Sequence, residues 1–393
     1  MTVWRLVAVV VIFIGVTVGW MILGTSVQFR TDSGYLDIGR QVEDLWGAPH
    51  TQSAPVVHYS APGVREQGLE LDSGDVTVNL KLDHRRKGLL WYATYDVGFH
   101  ALYTIHNPLA ETATATVTVQ FPSYGAMYDD FVFRAGDVES TPNGDIDDGL
   151  LAILDLAPGE AAEIELAYNS RGMDRWRYSF SDGVTTVRDF VLTATTDFED
   201  YDFPSGTISA SEKNRTSAGW ELVWAFESLV SDFDIGVEMP HKLNPGELAS
   251  RMSYFAPVSL LFFFTVLVVL GAVRGVTLHP MHYFFLGASF FAFHLLFAYL
   301  VDHIAIELAF VIAAVVSLAL VISYLGRVTG WRFALREAAP SQFLFLVMFS
   351  YAFFFEGYTG LVVTIGAVIT LAILMQVSAK VDWTEIFKKK NGR

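Results

Sequence analysis

The 393-residue chain contains no cysteine. Disulfides, thiolate zinc sites and cysteine nucleophiles are therefore excluded. Charge is scarce as well: 17% of residues are charged and 52% are hydrophobic, whereas a soluble domain usually carries about 25% charged residues. Recognisable catalytic motifs are also missing. There is no P-loop, dinucleotide fingerprint, nucleophile elbow or His-Glu-x-x-His. The sequence therefore assigns no catalytic, cofactor-binding or metal-ligating residue, and a non-enzymatic protein is expected.

What is present is apolar and concentrated. A membrane span needs about 20 mostly apolar residues. Leu6 to Leu23 carries no charge and follows Arg5. It is longer than the h-region of a cleavable signal, so an uncleaved anchor over 1–24 is expected. Further spans are predicted at Phe255 to Val273, His282 to Val301 and Ile304 to Leu325. Phe343 to Val377 is too long for one span and breaks at Glu356-Gly357, which gives a short fifth span and a sixth. The expected organisation is an anchor over 1–24, a β-rich domain over 25–250, five helices over 251–379 and a basic tail over 380–393.

Charge is segregated between these parts. Residues 25–250 hold 36 Asp and Glu against 15 Lys and Arg. Such an acidic domain repels nucleic acid, so no nucleic-acid partner is expected. Arg5, Arg274, Arg327, Arg332, Arg336, Lys380 and Lys388 to Lys390 fall on one side of the predicted spans. Asp302, Glu307 and Glu356 fall on the other, with Arg251 the exception. The positive-inside rule then puts both termini in the cytoplasm and 25–250 outside it.

Residues 70 to 240 read as strands. Val76 to Leu82, Ala113 to Val119, Glu163 to Leu166 and Gly219 to Trp224 alternate apolar and polar residues. Period two with β-branched and aromatic residues argues for half-buried strands. Turn signals lie between them, at Asn107-Pro108, Pro158-Gly159, Asp182-Gly183 and Pro204 to Gly206. A sandwich of antiparallel sheets is expected, with a short separate helix over Ile38 to Trp46. Asn143 to Gly149 has oxygen ligands at alternate positions. It lacks the Gly at position six and the Glu at position twelve of a calcium loop, so it reads as a polar hairpin.

Ionisable residues in lipid are costly and are the candidates for function. His294 lies in the middle of the third span, Asp302 and His303 close it, and Glu307 follows one turn later. Glu356 is expected at the same membrane face. Grouped together, these could bind a cation or respond to pH; the plainer alternatives are interfacial charges and an interhelical hydrogen bond from His294. His279-Pro-Met-His282 is better explained as a proline-led helix start than as a metal pair.

With these residues in view, the sequence resembles the inner-membrane CreD family, the cell envelope integrity or colicin-tolerance proteins. The resemblance rests on Leu278-His-Pro-Met-His-Tyr283, Asp302-His303-Ile304, Glu356-Gly-Tyr358 and Lys380-Val-Asp-Trp383. Arg85-Arg-Lys-Gly88 followed by Tyr95 adds a weaker match in the acidic domain. It implies an inner-membrane protein tied to envelope stress or integrity and carries no catalytic residue or cofactor to transfer. The expected partners are membrane lipids and an envelope protein, glycan or polymer. A transporter or channel using the polar residues of the C-terminal helices is the alternative; an intramembrane or export-side enzyme has least in its favour.

Overall fold

The computed structural model describes residues 3–88, 90–139, 149–180, 185–276, 278–355 and 357–379. Its contacts divide the chain into two compact units, Met1–Gly34 with Leu243–Arg393, and Tyr35–Lys242.

Six of the described helices are long and apolar enough to cross a membrane. They are α1 (Val3–Trp46), α2 (Pro245–Arg274), α3 (Pro280–Leu300), α4 (Ile306–Val328), α5 (Trp331–Phe354) and α6 (Thr359–Ser378). Their apolar residues face outward as well as inward. Leu361, Ile365, Val368, Ile369 and Leu371 of α6 are all exposed. Water would oppose that arrangement, whereas lipid does not. Inside this unit lies an aromatic core that includes Trp20, Phe263, Phe290, Phe293 and Phe297.

The sequence predicts an anchor ending near residue 24 and a separate helix from Ile38. Instead α1 runs unbroken for 44 residues, about twice the length that a hydrocarbon core requires. Gly34 and Gly39 are the glycines of its second half, which holds no proline, and isolated glycines lower helix stability without breaking the helix. It ends at Gly47, where φ is +117° and an added Cβ would lie 1.9 Å from the Arg171 carbonyl oxygen. Only glycine fits there.

Two further boundaries differ from expectation. Gly246 to Tyr254 precedes the span predicted from Phe255 but forms the first turns of α2, with Leu248, Ala249 and Met252 buried. The fifth span begins at Trp331, not Phe343. Pro340 removes one backbone donor from α5, and π turns at Ala334–Ala338 and Phe343–Met348 flank it. Such bulges re-register a helix around a proline without ending it.

The Tyr35–Lys242 unit is β-rich. Among the described residues its largest sheet has eight strands. Its central strands are Ala161–Met173, Thr94–His106, Ser73–Leu82, Thr185–Thr196 and Trp220–Ser231. The pair Phe190–Thr196 and Gly74–Leu80 is parallel; the neighbouring pairs are antiparallel. A four-stranded sheet contains Ala113–Val119 between Leu150–Leu156 and Val56–Ala61. Another contains Arg175–Ser179 and Asp234–Glu238. Alternation does what period two predicts: Val76, Val78 and Leu80 point inward while their neighbours are exposed. Val78, Val117, Trp176 and Trp224, drawn from these three sheets, enter one core.

Candidate functional site

Polar residues inside an apolar helix bundle are expensive, so those of the membrane-type unit are the natural candidates. Asp302 follows the end of α3. Its Oδ2 lies 2.8 Å from Nη2 of Arg30 on α1. The same nitrogen donates to the Ala298 carbonyl at 3.2 Å, and the guanidinium lies 5.3 Å from the centre of the Tyr299 ring. Arg30 thus fastens α1 to the end of α3. The sequence alone does not single it out, because an anchor ending near 24 puts Arg30 in another domain. The buried series Trp20, Leu23 and Val27 carries helical spacing past that limit and is the signal that could have found it.

His303 and Glu307 are not part of this pair. Among the described residues their side chains make no hydrogen bond or ion pair. Glu307 sits in the first turn of α4, where a carboxylate complements the exposed backbone N–H groups. Glu356 lies outside the described residues, as do Asn143 to Asp148 of the polar hairpin, the turn Asp182-Gly183 and the basic tail from Lys380.

His294 is buried, with Nδ1 3.0 Å from the Phe290 carbonyl oxygen. A carbonyl can only accept, so Nδ1 carries the hydrogen and Nε2 is the acceptor. The Trp20 ring meets the imidazole edge-on at 5.4 Å between centres. The indole Nε1 of Trp20 is buried without a partner among the described residues. Among the described residues no polar contact joins His294 to Asp302.

A second polar layer lies at the middle of four helices. Ser317 of α4 donates to the Ser289 carbonyl of α3 at 2.8 Å. Gln342 of α5 donates through Nε2 to Ser317 Oγ at 3.0 Å. Ser259 of α2 donates to the Phe345 carbonyl of α5. Gln342 is fully buried, and its Oε1 has no partner among the described residues. Ser and Gln without charge give little signal in hydropathy, and Gln342 fell in a stretch that reads as a loop.

The basic side of the unit is also tied. Arg274 at the end of α2 pairs through Nε with Glu337 Oε1 of α5 at 2.8 Å. Near it, His279 caps α3: its Nδ1 accepts from the Met281 N–H, and Pro280 stands at the first helical position. His282 Nδ1 lies 2.8 Å from the Tyr324 hydroxyl. The two histidines therefore have separate local roles.

Comparison with known proteins bears on this region. Residues 224–384 match the family model described as inner membrane protein CreD. The match runs from the strand holding Trp224 through α2 to α6. No curated protein matches the chain significantly. Among solved structures, a crystal structure from Legionella pneumophila, provisionally described as a nutrient binding protein, is 12% identical and covers 55% of this chain and 76% of its own. Its TM-score of 0.35 is too low to carry an argument.

Proposed function

We propose that this CreD-family inner membrane protein is a non-enzymatic component of the cell envelope, whose β-rich unit is a sandwich-like binding domain outside the cytoplasmic membrane. Its ligand would be an envelope protein, glycan or polymer, its lipid contacts those of the six helices, and nucleic acid no partner. The observation that carries the reading is the pairing of charges at opposite helix ends. Arg274 and Glu337 join the end of α2 to the start of α5. Arg30 and Asp302 join α1 to the end of α3. Helices that alternate in direction bring those two pairs to opposite faces. Arg5, Arg327, Arg332 and Arg336 belong with the first face, which the positive-inside rule makes cytoplasmic. Both ends of the membrane unit then lie inside, and the acidic unit between α1 and α2 lies outside.

A strain lacking the protein should become more permeable to envelope probes and more sensitive to detergent, and the full chain should restore it. Unchanged permeability and detergent tolerance in that strain would overturn the envelope reading. The unpartnered Gln342 Oε1 amid the helices favours a second reading, a transporter or channel. Vesicle flux separates the two: solute uptake abolished by His294→Ala or Gln342→Leu would select transport.

A further inference from the structure

A groove of about 470 Å³ lies among α1, α2 and α6 of the membrane-type unit. Val9 of α1 and Phe264 and Val269 of α2 are buried beneath it, while Val10 of α1 and Leu371 and Met375 of α6 stand exposed at its sides. Among the described residues that line it, Thr265 alone is polar. Its hydroxyl already donates to the Leu261 carbonyl of its own helix at 2.7 Å. The lining therefore offers a polar guest no free donor, and an apolar guest gains dispersion contacts from three helices at once.

The groove has the reach of one leaflet. It is lined from Leu6 to Phe13 on α1 and from Leu261 to Val269 on α2. At 1.5 Å per residue each stretch is about 10 to 12 Å long. Half of the hydrocarbon core is about 15 Å deep, so the groove matches a chain from one leaflet and not a molecule that crosses both. Helices that alternate in direction place its outer end at Leu6 of α1 and Met375 of α6. This is the end of the helices that carries Arg5 and Arg274.

The residues at that end select a headgroup. Trp4 is exposed there, and indoles settle at the level of the lipid headgroups. Arg5 follows it, and among the described residues its guanidinium forms no ion pair or hydrogen bond. Arg274 is already held by Glu337. An unpaired cation at the membrane surface attracts anionic lipid, and a guanidinium recognises phosphate.

We propose that this groove holds one acyl chain of an anionic phospholipid, taken from the leaflet at the basic end of the helices, with its phosphate on Arg5. Lipid elsewhere on the six helices meets convex surface and exchanges freely. The site rests on the reading of these helices as membrane spans, and it adds the place and the charge of one resident lipid.

Native mass spectrometry of the full chain, released from detergent after equilibration with phosphatidylglycerol or with phosphatidylethanolamine, tests it. One phosphatidylglycerol per chain should be retained, about fivefold more than phosphatidylethanolamine. Arg5→Gln should bring phosphatidylglycerol down to the level of phosphatidylethanolamine. Val10→Trp, at an exposed position, should fill the groove and lower retention of both by about tenfold. Val315→Trp, exposed on α4 away from the groove, should change neither. Equal retention of the two lipids by the wild type, or equal retention in Val10→Trp and Val315→Trp, would overturn the proposal. So would a lipid-free dimer that Val10→Trp dissociates, because a second copy would then occupy the groove. Cysteine labelling reads the orientation of the helices separately: lost lipid selectivity with the expected labelling removes the site alone, and inverted labelling with selectivity intact removes the orientation alone.

Discussion

His50 is fully buried in the β-rich unit, and its Nε2 lies 3.1 Å from Ser170 Oγ. Ser170 gives its own hydrogen to the Met127 carbonyl, so the imidazole must donate to Ser170. Burial lowers the His50 pKa from 6.5 to about 4. The unfolded chain takes up this proton from about pH 6.5 downward, the folded chain only near pH 4. Stability from the neutral imidazole is complete above pH 6.5 and is lost as pH falls between those values, by about 3 kcal/mol in all. Denaturant midpoints in detergent between pH 7 and 4.5 should fall less steeply for His50→Gln than for the wild type; parallel curves would contradict this. The Arg30–Asp302 pair is half open to water, with side chains 44% and 25% exposed, and should couple by about 1 kcal/mol. In an unfolding cycle, Arg30→Gln with Asp302→Asn should destabilise less than the sum of the single changes. Strict additivity would mean that the pair does not hold α1 to α3. At this scale Asp302 was legible because it interrupts an apolar run. Arg30 was not, since nothing in a local window says which distant charge will reach it.

Elements with a strong period were read correctly. Ala113–Val119 alternates β-branched and small residues and forms a strand with those limits. What escapes a sequence reading is the first part of α5, before Phe343, because Arg332, Arg336, Glu337 and Pro340 all weigh against a span. Each is accommodated in a way that composition does not reveal: Arg332 and Arg336 lie near the helix start, Glu337 meets Arg274, and π turns surround the proline. Gln342 tests what this irregular helix is for. If the amide is only structural, Gln342→Leu removes an unsatisfied buried oxygen, and the cost of losing its bond to Ser317 is partly offset. The variant should then unfold within about 1 kcal/mol of the wild type. Equal stability with loss of complementation in the deletion strain would mark the amide as functional. Equal stability with full complementation would make it a packing detail.

Across the whole molecule, composition was enough to separate an apolar helical part from an acidic β-rich part, because lipid and water select opposite surfaces. The pairing of strands was not legible, since the parallel contact of Phe190–Thr196 with Gly74–Leu80 joins segments far apart in sequence. The absence of cysteine makes the proposed orientation directly measurable. Ser205 lies in an exposed turn of the β-rich unit, and Val328 ends α4 on the face that carries Arg327. If that face is cytoplasmic, Ser205→Cys should react with a membrane-impermeant maleimide in spheroplasts, and Val328→Cys only after lysis. The charge of an arginine resists transfer through the hydrocarbon core, so the side that keeps Arg327, Arg332 and Arg336 is the side of synthesis. Labelling of Val328→Cys in intact spheroplasts together with protection of Ser205→Cys would invert the membrane unit, and the acidic unit would then have to find its ligand in the cytoplasm.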